Sequence, residues 1–129
     1  MSLVRVVAVS AALLLAVPAG AAAPGTAEHF LQRAERLLGK GPLALFDGDY
    51  RRLSREGEAA GTSIRLEREA AEREGRPILY CSPKPWAELG NMEFIRGLRA
   101  IPRAQRERMT LRQAMLLVIQ RKYPCPPRR

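Results

Sequence analysis

The sequence predicts an all-α bundle of four to five helices, tied by one disulfide and formed after a cleaved export signal. Three observations carry that reading. Apolar residues recur at three- and four-residue spacing in four segments, and no run alternates with period two. Glycine and proline stand between those segments, where helices start and stop. The only two cysteines, Cys81 and Cys125, each lie in proline-rich backbone near one end of a segment.

Residues 1–21 read as an address rather than as structure. Arg5 is the only charge, Val6 to Val17 is nearly all apolar, and Pro18 precedes the small residues Ala19-Gly20-Ala21. Such an apolar run is too short to cross a bilayer as a helix and fits a signal peptide cut after Ala21. A buried N-terminal helix is the competing reading. Export predicts the periplasm, and a mature chain over 22–129 forming one helical domain with no transmembrane span. Removing Arg5 with this segment leaves 21 basic and 13 acidic groups, a net of +8. For an exported basic protein the expected anionic partners are proteins, membrane surfaces and envelope polymers rather than nucleic acid.

In the mature chain, Thr26 is placed to cap a first helix to about Leu38. Ala27, Phe30, Leu31, Ala34, Leu37 and Leu38 share one face, and Glu28, His29, Gln32, Glu35 and Arg36 take the other. Gly39 to Pro42 ends it, and Leu43 to Phe46 reads as a single apolar turn. Asp47-Gly48-Asp49 supplies a turn and N-cap for the longest helix, about Tyr50 to Glu74. Gly57, Ala60 and Gly61 on its inner sector predict either a closely packed neighbouring helix or a kink, since each glycine costs about 1 kcal/mol of helicity.

Pro77, Pro83 and Pro85 exclude regular structure from Gly75 to Trp86 and make a rigid extended strap containing Cys81. A third helix is expected from about Asn91 to Ile101, with Phe94, Ile95, Leu98 and Ile101 inside, before Pro102 bends the chain or starts a turn. Thr110 to Gln113 matches a capping box and opens a fourth helix to about Lys122, with Leu111, Ala114, Met115 and Val118 inside and Leu116 outside. In an oxidising compartment Cys81 and Cys125 are most simply one structural disulfide. It would staple the third and fourth helices and contribute about 4 kcal/mol on the chain-entropy model.

Reaction chemistry is missing from the sequence, and no enzyme is expected. His29, the only histidine, falls on a polar helix face, which fits a solvated side chain better than a catalytic base. One histidine and two cysteines do not make a four-ligand zinc site, and no cofactor motif occurs. The many carboxylates interleave with arginines as on an ion-paired surface. Charge is asymmetric: residues 22–76 hold ten basic and ten acidic groups, while residues 77–129 hold eleven and three. Arg96, Arg99, Arg103 and Arg112 are therefore candidate contacts for an acidic partner, against the alternative that the chain simply favours arginine. Trp86 either plugs the top of the core or anchors an interface, and Leu116 marks self-association, a possible homodimer, or a scattered surface apolar group.

Tyr80-Cys81-Ser82-Pro83, Phe94-Ile95-Arg96-Gly97-Leu98, Ile101-Pro102 and the closing Tyr123-Pro124-Cys125 together resemble the Rap/Tai family of immunity proteins. The likeness covers about residues 80–125. It implies a small exported helical protein that binds and blocks a peptidoglycan amidase delivered by type VI secretion. Family members often carry a further cysteine pair upstream, and none precedes Cys81 here. The resemblance assigns no inhibitory residue, because the matching positions read as structural. Two other functions fit the sequence: an acid chaperone of the HdeA type, and a basic peripheral protein of the envelope.

Overall fold

The computed structural model describes residues 22–127; the expected export signal over 1–21 and the Arg128-Arg129 tail lie outside them. Five α-helices and one 3-10 turn make an all-α bundle: α1 (Ala27–Gly39), the turn (Gly41–Phe46), α2 (Gly48–Arg73), α3 (Asn91–Ala100), the single-turn α4 (Arg103–Arg106) and α5 (Leu111–Lys122). Among the described residues there is no strand, only an isolated bridge between Thr26 and Thr110.

Local chemistry sets the helix boundaries. Thr26 Oγ1 accepts the His29 N–H at the start of α1, and the Asp47 carboxylate accepts the Asp49 N–H at the start of α2. At α5, Thr110 Oγ1 accepts the Gln113 N–H while Gln113 Oε1 accepts the Thr110 N–H, so each side chain satisfies the other residue's backbone donor. Gly41 at φ +58° lets the chain turn sharply out of α1, and Pro42 sits in the first turn of the 3-10 segment, where its missing N–H costs nothing.

One core unites the helices. Phe30, Leu31, Leu53, Ile64, Phe94, Leu98, Ile101, Met115 and Val118 are buried in it, and the Phe30 and Phe94 rings meet at 5.8 Å between centroids. The tightest seam runs between α3 and α5. A Cβ built on Gly97 would lie 2.5 Å from Val118 Cγ1, so only glycine admits this approach. The sequence offered Gly57, Ala60 and Gly61 as the site of close packing, and the structure divides them. Ala60 is buried and a Cβ built on Gly61 would lie 3.8 Å from Met115 Sδ of α5, whereas a Cβ at Gly57 would meet nothing within 4 Å among the described residues.

The expected disulfide is present, joining Cys81 to Cys125 with Cα atoms 4.8 Å apart. It is one of several ties that fix the proline strap. The Cys81 N–H donates to Tyr123 O at 3.0 Å, Gln120 Nε2 to Leu79 O at 3.1 Å, and Lys122 Nζ to Glu88 O at 2.7 Å. From α2, Arg68 Nε donates to Tyr80 O at 3.1 Å while its guanidinium lies 5.1 Å over the buried Tyr80 ring.

One assignment to a polar face needs correction. Glu28, placed outside by periodicity, is only 4% exposed because Arg106 Nε reaches its carboxylate at 2.6 Å. Arg33 and Arg68 are buried as well. In each case a second element brings an opposite charge or a carbonyl to the side chain, which lets a charge be buried. In the other direction, Leu38 belongs to the apolar face of α1 by spacing yet is 43% exposed.

Candidate functional site: an apolar groove over the second helix

Most of the exposed large apolar residues gather in one place, Leu66 on α2 standing apart from them. Leu38, Leu45, Tyr50, Trp86 and Met92 all line one open groove with a volume of about 890 Å³, and Leu43 and Phe46 stand beside it on the 3-10 turn. Phe46 is 87% exposed and Trp86 50%. A large apolar patch collected around a concavity is the usual mark of a binding surface, whereas single exposed apolar groups are not.

Each wall has a sequence origin. Along α2 the groove is bordered by Tyr50, Leu53, Ser54, Gly57, Glu58, Gly61, Thr62, Ile64 and Arg65. These positions repeat at helical spacing and form one face for about 22 Å of helix. The second wall is the end of α1 with the 3-10 turn, through Leu37, Leu38, Ala44 and Leu45. The third is the strap and the start of α3, through Trp86, Ala87, Leu89 and Met92. Core residues Phe30, Phe94, Ile95, Met115 and Ile119 close the floor.

Charge on α1 and α2 fixes the first two walls against each other. Arg33 reaches from α1 to Asp49 at 2.5 Å and to Glu56 at 2.8 Å on α2. Their hydrogen bonds, that to Asp49 foremost, raise the Arg33 pKa well above its ordinary value, and the same bond holds the Asp49 carboxyl below the usual carboxylate range. Lys40 pairs with Asp47 across the base of the 3-10 turn. On the third wall, Lys84 pairs with Glu88 and lies 5.8 Å over the Trp86 ring. Burial at the floor pushes the Tyr80 phenol up.

The structure distributes the candidate residues read from the sequence unequally. Trp86 does not plug the core; it stands half exposed in the groove wall. The arginines do not gather at the groove. Arg99 is paired with Glu35, Arg103 with Glu107 and Glu28, and Arg112 with Glu67, so much of their charge is spent inside the chain; Arg96 is exposed on α3. Leu116 is partly buried and packs against the core.

Periodicity alone did not mark Leu38, Leu43, Leu45, Phe46 and Met92 as a surface. The available signal was the apolar Leu43–Phe46 turn, which has no polar face to offer water. Among the described residues no group of three or more His, Cys, Asp and Glu could hold a metal ion, and no helix is long and apolar enough to cross a membrane. Compared with protein-family models, with curated proteins and with solved structures, the chain matches none of them.

Proposed function

We propose that this chain is a periplasmic binding protein of the Rap/Tai immunity type, which inhibits a peptidoglycan amidase by covering its active site. The observation that carries the binding role is the groove. Leu45, Trp86 and Met92 are held in water at its rim, at a cost that a lasting partner would recover. The disulfide-stapled strap supports the reading, because a recognition surface fixed before contact loses little entropy on binding. The amidase as partner rests on the Cys-Pro landmarks and helix pattern over 80–125. Periplasmic residence rests on the apolar character of residues 6–17.

The test is muropeptide release by a purified type VI amidase encoded beside this chain. Equimolar oxidised protein should abolish hydrolysis, and co-expression should rescue cells that export the amidase. Undiminished hydrolysis in the presence of excess protein would refute the amidase role.

A further inference from the structure

The groove has a shape that selects its occupant. It is open along its length, so an acyl chain laid in it would keep one side in water. An amphipathic helix would not, because its outer face is polar. The open stretch over α2 is about 22 Å long, or about four helical turns. At its middle, Gly57 leaves the backbone of α2 bare, with nothing among the described residues within 4 Å of where its Cβ would be.

No described helix of a second copy can fill the groove. The inner faces of α1, α2, α3 and α5 are buried in their own core, and the apolar groups these helices leave exposed (Leu38, Tyr50, Leu66 and Met92) form no second helical stripe. The exposed apolar 3-10 turn has six residues and spans about 12 Å, roughly half the groove. Charge then narrows the partner. Ser54, Glu58 and Thr62 form the polar lip along α2, and Glu58 is exposed with no cation within ion-pair distance among the described residues. Arg65, the other charged residue lining the groove, is already matched by Glu69, and Lys84, which lies over the Trp86 ring, by Glu88.

We infer that the groove receives an amphipathic helix of the partner protein, its apolar stripe on Gly57, Trp86 and Leu45 and a lysine or arginine beside that stripe meeting Glu58. This helix-in-groove mode rests on the reading that the groove is the partner surface. It adds what part of the partner enters and which charge it carries.

Trp86, the only tryptophan, reports occupancy directly. The probes are three tryptophan-free 18-residue peptides: a leucine-striped helix flanked by lysine, the same helix flanked by glutamate, and a scrambled lysine version that forms no amphipathic face. The lysine helix should shift Trp86 emission to the blue, protect it from acrylamide, and gain helicity on binding. The glutamate helix should bind about tenfold more weakly. Glu58→Lys should reverse that preference, and Gly57→Leu, which has space to fold, should abolish binding without lowering Tm.

Equal binding of the scrambled peptide, equal affinity for both charges, or a concentration-dependent dimer that no peptide displaces would each overturn the inference. The amidase assay separates the two levels. Inhibition that survives Gly57→Leu sinks the helix docking and leaves the immunity role standing. Peptide binding by a protein that inhibits no amidase sinks the immunity role instead.

Discussion

The α3–α5 seam and the groove over α2 each have a glycine on an inward helix face, with opposite consequences. At Gly97 the missing side chain is occupied by Val118, 2.5 Å from the position of a Cβ. At Gly57 the missing side chain leaves open space in a groove of about 890 Å³. The seam is finished within the chain, by apolar contact and the Cys81–Cys125 bond nearby. The groove is left unfinished. The lesson is that a small residue marks a close approach without saying which chain makes it.

The seam side should dominate stability, and removing its staple is the strongest way to test that. Cys81→Ser with Cys125→Ser should lower unfolding free energy by about 4 kcal/mol, measured by denaturant titration against the oxidised protein. Hydrogen exchange should then show the strap and the end of α5 losing protection before the α1–α2 wall does.

The two glycines give the next and most direct contrast. Gly97→Ala should cost about 1–3 kcal/mol through overpacking against Val118, visible as a lower Tm. Gly57→Ala should gain about 1 kcal/mol from helix propensity, because its Cβ meets nothing. Equal effects at both positions would erase the distinction between a closed seam and an open groove.

The smallest effect is electrostatic and concerns the wall between α1 and α2. Arg33 holds the folded-state pKa of Asp49 below its unfolded value. Its contribution is therefore complete above the unfolded value near pH 4 and is lost as pH falls through the depressed folded value. Asp49→Asn should lower Tm at neutral pH, where the contribution is complete, and flatten the acid limb below about pH 4, where the wild type has already lost it. A wild-type curve with no acid limb attributable to Asp49 would show that the wall does not depend on this pair.

Much of the fold was legible because helical period, caps and breakers are local. Thr26, Asp47 and Thr110 each cap the helix that their positions announced, and the inner faces of α3 and α5 follow the spacing. The site was legible only in pieces. Trp86 stood out as one of two alternatives, while the Leu43–Phe46 turn was visible as apolar without a destination. The arginine cluster drew attention by composition, yet Glu28, Glu35 and Glu67 meet its members from distant parts of the chain.

By itself the sequence determined the helices, the breaks between them and the pairing of the two cysteines, because spacing, capping chemistry and a count of two require no knowledge of the rest of the fold. Tertiary structure alone decided that Glu28 and Arg33 are buried, that Gly97 is filled by Val118 while Gly57 meets nothing among the described residues, and that five exposed apolar side chains line one groove. Those outcomes depend on which elements meet. A helix face becomes core, ion-pair site or open surface only when a neighbour arrives or fails to arrive.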